Sequence, residues 1–153
     1  VAERAGVQRQ TVYRHFANED ELLAACSGHF AETHPWPDTS RWRAVADPAE
    51  RLRVGLDELY AWYETTGEMW TNVLRDEALV AAVGPNLAPF RAYLDDAADA
   101  LAAGCGGRRE MLLAAARHAV DFHTWRSLAR DGGIKRAGVV ELTSAMIRRA
   151  AAE

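Results

Sequence analysis

The chain has 153 residues, 49% of them apolar and 26% charged, and a formal net charge of −4. That size and balance suit one compact domain, or one with a small appendage, and exclude a disordered chain. The net acidity excludes coating of nucleic acid by bulk charge, so any such contact must be local. Cys26 and Cys105 lie far apart, and no apolar run approaches the roughly 18–20 residues of a membrane span, which predicts a cytoplasmic protein without disulfides, metal or membrane contact.

Apolar residues recur at three- and four-residue steps with no sustained two-residue alternation, so the predicted fold is all-α. A short helix opens the chain, Gly6 turns it, and a second helix is expected over residues 8–15. Asn18 is a good N-cap for a third helix, with Glu19, Asp20 and Glu21 in the first turn where acids suit the helix dipole; it should end near His34. Residues 35–42 contain two prolines and are expected to form a loop and hinge. The boundary falls there, between an N-terminal unit of residues 1–35 and a body of residues 41–153.

In the body, Asp47-Pro48-Ala49-Glu50 supplies an N-cap, a proline at the first helical position and an early acid, followed by the stripe Leu52, Leu56, Leu59 and Tyr63. Gly67 is expected to interrupt this helix. A shorter one should then carry Met69, Trp70, Val73 and Leu74 to a break at Gly84-Pro85. The next has Leu87, Phe90, Leu94, Ala97 and Leu101 on one face and should stop at the cluster Gly104-Cys105-Gly106-Gly107. A long helix over residues 108–130 is predicted with two apolar faces, one of Met111, Ala115, His118, Phe122 and Trp125, the other of Leu112, Ala116 and Ala119. After a break at Asp131-Gly132-Gly133, the last helix places Val139, Leu142 and Met146 on one edge and Val140, Thr143 and Ile147 on the other. Two such helices can close a four-helix bundle with a second copy, which predicts a homodimer interface of Leu112, Ala116, Ala119, Val139, Leu142 and Met146.

Charge is unevenly spread. Residues 1–16 hold three arginines against one acid, whereas residues 17–38 hold five acids and no base. A small basic head on an acidic or neutral body is the polarity expected when one end meets phosphates. Val7, Val12 and Phe16 can share one small core, and Ala5 allows two helices to approach. Gln8, Arg9, Gln10 and Thr11 then lie at the exposed start of the second helix, with Tyr13, Arg14 and His15 further along. Arginine suits guanine O6 and N7, and glutamine suits adenine N6 and N7.

The set Ala5-Gly6-Val7, Thr11-Val12-Tyr13, His15-Phe16 and Leu22-Leu23 resembles the second half of the helix-turn-helix domain of the TetR family of bacterial transcriptional regulators. The resemblance implies a DNA-binding unit that reads double-stranded operator DNA through Gln8, Arg9, Gln10, Thr11, Tyr13, Arg14 and His15, the Tyr and His positions contacting phosphates. Two departures bear on it. Glu19 stands where many members carry a lysine, and the family's first helix would precede Val1, so the helix-turn-helix domain is expected to be incomplete at its N-terminus and this chain to bind DNA weakly by itself. The resemblance further implies a C-terminal helical domain that dimerises, binds a small molecule, and changes the separation of the two DNA-reading heads.

Within the body, aromatic and sulfur side chains are in excess, and such groups line ligand cavities. The expected pocket comprises Leu59, Trp62, Tyr63, Met69, Trp70, Val73, Phe90, Tyr93, His118, Phe122 and Trp125, taking a small hydrophobic or aromatic effector; ordinary core is the competing reading of each. His118 and His123, like His29 and His34, are five residues apart and share no face, so no metal is expected. There is no GxSxG elbow, HExxH, phosphate-binding loop or glycine fingerprint after a strand, and Asp95 and Asp96 point apart on a helix, so neither an enzyme nor a cofactor is expected. The favoured expectation is a ligand-responsive repressor; the alternative is a helical small-molecule-binding dimer without effective DNA binding.

Overall fold

The computed structural model describes residues 6, 16, 18–77 and 83–152, without the side chains of Glu19 and Asp20. All regular structure among them is helical. Gly6 has φ +64°, the left-handed conformation expected of its turn.

Helix α1 spans Glu19–Thr33. Asn18 caps it, its side-chain oxygen accepting from the Glu21 amide at 2.9 Å. None of its described side chains is fully buried; Leu22, Leu23 and Phe30 are half-buried. Its C-terminal end is tied down: the His34 ring stacks on Phe30 at 4.6 Å, and Trp62 Nε1 donates to the His34 carbonyl at 3.2 Å.

The predicted loop over 35–42 holds only for its first half. Asp38 accepts from the Ser40 amide at 2.9 Å and starts a short helix, α2 (Thr39–Arg43), that carries Trp42 into the core. Trp42 is fully buried, with its Nε1 donating to Glu58 at 2.7 Å. Helix α3 (Pro48–Glu77) begins as expected, with Asp47 oxygens accepting from the Ala49 and Glu50 amides at 3.3 and 3.2 Å. Gly55 on α3 is where Trp42 lies: a Cβ there would sit 2.9 Å from the indole and 2.6 Å from Leu101.

Gly67 does not interrupt α3, which runs 30 residues through it, or about 45 Å. A Cβ at Gly67 would stand 3.0 Å from two Trp125 ring carbons, so the glycine makes room for a tryptophan from elsewhere in the chain. Gly84-Pro85 is likewise no break, for both residues lie inside the short helix α4 (Val83–Asn86). Helix α5 (Ala88–Ala102) ends at the glycine cluster as predicted, with Gly104, Gly106 and Gly107 all at positive φ.

The single long helix expected over 108–130 is broken. Helix α6 (Arg109–Val120) stops at Asp121, whose backbone is extended. The Asp121 side chain then caps α7 (Phe122–Trp125), accepting from the His123 and Thr124 amides at 2.8 and 3.3 Å, and the chain continues as a π-helical turn over Arg126–Asp131. Carbonyls in the last turn of a helix lack intrahelical partners. Two α3 phenols supply them: Tyr60 donates to Ala119 O at 2.8 Å and Tyr63 to Val120 O at 2.7 Å. Burial pushes both phenols well above the ordinary tyrosine range, so they stay neutral donors. Helix α8 (Arg136–Ala151) follows the Asp131-Gly132-Gly133 break and closes the fold.

Helices α3, α5, α6 and α8 form a ring in which α3 packs on α5 and α8, and α6 on the same two. The predicted stripe of Leu52, Leu56, Leu59 and Tyr63 is fully buried within it. The nearly buried Arg51 guanidinium donates to Val45 O at 3.0 and 2.7 Å and to Ala103 O, joining the start of α3 to the end of α5. Arg136 ties α8 to α3 through Asp57 at 2.9 Å and Glu64 at 2.6 Å. No helix among the described residues is long and apolar enough to cross a membrane.

Candidate functional site

A cavity of about 540 Å³ lies between α1, the C-terminal half of α3, α4 and the start of α5. Leu23, Ala24, Cys26, Ser27, Gly28, Phe30 and Ala31 of α1 form one wall; Met69, Trp70 and Val73 of α3 form another; Trp36, Val83, Pro85, Asn86, Leu87, Pro89 and Phe90 complete it. Trp70 and Phe90 are stacked, with centroids 3.8 Å apart and planes 21° apart, and Phe30 meets Trp70 edge-on at 6.5 Å. Trp36 leans over Phe90 at 6.1 Å and stacks on Tyr93 at 5.0 Å. Flat aromatic surfaces in these orientations can take a planar apolar molecule.

Of the expected pocket residues, Met69, Trp70, Val73 and Phe90 line this cavity. The others are placed elsewhere. Leu59, Trp62, Tyr63 and Phe122 are core: Trp62 lies 5.9 Å from Trp70 and 5.6 Å from Tyr63, and Tyr63 5.3 Å from Phe122, so an aromatic chain runs inward from the cavity wall. Tyr93 is half-buried behind Trp36. Trp125 is buried against Gly67, with the Arg130 guanidinium 5.7 Å from its ring centroid. His118 is exposed and lines a different depression, where Thr124 Oγ1 is 3.3 Å from its Nδ1. The reading of one pocket from the whole aromatic set is thus corrected: a 3.6-residue period identifies a buried face without telling a cavity wall from solid core.

The α1 wall escaped sequence reasoning. Its cavity face consists largely of small residues, Ala24, Ser27, Gly28 and Ala31, which by themselves look like a solvated helix; Leu23 and Phe30 are its large apolar members.

The second depression, about 500 Å³ and open, runs between α6, α7 with its π turn, and α8; among its lining residues are His118, Asp121, His123, Leu128, Leu142 and Met146. Leu142 is 51% exposed and Met111, on the same helix as His118, is 42% exposed. Of the expected dimer residues, Leu112, Ala116, Ala119 and Val139 are at most 4% exposed within one chain. That corrects their assignment, because they leave almost nothing for a second copy to cover. Leu142 and Met146 are open to contact.

The expected DNA readers, Gln8, Arg9, Gln10, Thr11, Tyr13, Arg14 and His15, lie outside the described residues, as do Val7 and Val12; Phe16 is half-buried. Their assignment comes from the sequence. No curated protein and no solved structure matches the chain. Residues 1–26 match the family model of bacterial regulatory proteins, tetR family. The match ends within α1 and takes in the first of its cavity-wall residues, Leu23, Ala24 and Cys26. The similarity to bacterial regulatory proteins of the tetR family is carried by this N-terminal segment alone.

Proposed function

We propose that the protein is a homodimeric, ligand-responsive repressor that leaves a palindromic operator when a small apolar molecule fills the cavity beneath α1. One observation carries this reading: the segment matched by the family model runs into α1, and α1 forms one wall of the cavity. A ligand shifts an equilibrium only through differential affinity for two states. Here that difference arises because a molecule between α1 and the Trp70–Phe90 stack fixes the angle of α1, and with it the spacing of the two heads, which must match half-sites about 34 Å apart. The exposed α6–α8 face bearing Met111, Leu142 and Met146 is the surface on which two copies meet.

The reader helix is tested by titrating operator and random duplexes against two variants. Arg9→Ala should cost about 1–3 kcal/mol on the operator, concentrated at one base pair, whereas Tyr13→Phe should weaken all sequences alike. Equal losses on both duplexes for Arg9→Ala would remove it as a base reader. Full-length protein that ignores its own upstream region at low salt would remove the regulatory reading altogether.

A further inference from the structure

We infer that the effector is electrically neutral as well as flat: an uncharged aromatic or polycyclic molecule, excluding carboxylates, phosphate esters and protonated alkylamines. The inference rests on the cavity being the effector site, and adds the chemical class it accepts.

None of the described residues lining the cavity is Asp, Glu, His, Lys or Arg, and the polar side chains there are only Cys26, Ser27 and Asn86, apart from the indole N–H groups. In a chain that is 26% charged, such a lining is selective. The arginines nearest in sequence to its walls are already engaged, Arg91 with Glu77 and Arg75 with Asp76 at 2.9 Å, and His29 and His34, which flank Phe30 on the α1 side, are not among the lining residues. An ionised ligand would therefore leave water without a counter-charge among the described lining residues, a loss that apolar contact does not repay. A neutral planar molecule suffers no such loss and gains apolar contact with the lining side chains, among them Trp70, Phe90 and Trp36. Charged groups are not scarce elsewhere: the α6–α8 depression contains Asp121, His118 and His123.

Two fluorescent probes share their rings and differ by one sulfonate: N-phenyl-1-naphthylamine, which is neutral, and 8-anilinonaphthalene-1-sulfonate. Titrated into the full chain, the neutral probe should bind at least about tenfold more tightly. Gly28 gives access to the site without disturbing the core, since a Cβ built there meets nothing within 4 Å. Gly28→Phe should melt no lower than the parent and lose the neutral probe; Gly28→Arg should raise affinity for the sulfonate at least about tenfold. Equal binding of both probes, abolished by Gly28→Phe, would overturn neutrality and leave the cavity as the effector site. If neither probe binds, or if Gly28→Phe leaves the neutral probe in place, the cavity is no ligand site and both readings fall.

Discussion

The cavity under α1 and the depression between α6 and α8 are close in volume but opposite in construction. The first is walled by stacked rings and small side chains without a charge among its described lining residues; the second is open and mixes exposed Leu142 and half-buried Met146 with His118, His123 and Asp121. Small ligands favour concave, mostly apolar sites, whereas protein surfaces meet through apolar centres with polar rims. Neither volume nor hydrophobic content separates the two regions; the placement of charge does.

The largest test of this contrast is to place charge at the open site. Leu142→Asp combined with Met146→Asp should turn a dimer into a monomer by sedimentation velocity and weaken operator binding by about a hundredfold or more, because two linked heads become independent. Neutral-probe binding should be unchanged. A dimer that survives the double substitution would assign the depression some other role.

Next in size is the core between the two regions. Phe122→Ala should lower stability by about 3–5 kcal/mol in a denaturant titration, since Phe122 is 2% exposed and packs edge-on against Tyr63. Probe affinity per folded molecule should hold. If stability barely moves while the ligand response is lost, Phe122 lines a pocket after all.

The smallest effect belongs to Asp96, which accepts from Arg43 at 2.7 Å and from Thr39 at 2.6 Å and joins α2 to α5. The Arg43 and Thr39 hydrogen bonds hold its carboxyl below the ordinary 3.8. A carboxylate depressed in the folded state contributes stability that is complete above its unfolded value and lost as pH falls through the folded one. Because the pair is about half-exposed, Asp96→Asn should cost only about 0.2–1 kcal/mol at neutral pH, a difference that should shrink below pH 3.8. A gap that widens in acid would contradict the assignment.

Elements that announce themselves locally were legible in the sequence. Asp47-Pro48 begins α3, Asn18 begins α1, and the clusters at 104–107 and 131–133 end helices where expected, because capping and left-handed turns are decided by a few neighbouring residues. Gly67 misled because its cause is Trp125, remote in sequence. Asp121 hid because apolar periodicity continues on both sides of it, and the partners that make its break tolerable, Tyr60 and Tyr63, come from α3. The site divides the same way. Trp70 and Phe90 stood out as large aromatic groups on predicted helices, whereas the α1 wall is built of side chains too small to signal a cavity.

Trp42 sets a limit on mechanics. It is locked into the body a few residues after His34, and only Pro35–Trp36–Pro37–Asp38 separate that residue from α2, a leash of at most about 14 Å that two pyrrolidine rings stiffen. The foot of helix α1 therefore cannot wander. If the proposed repressor works through α1, a fixed foot turns any rotation there into displacement at the far end in proportion to the lever's length.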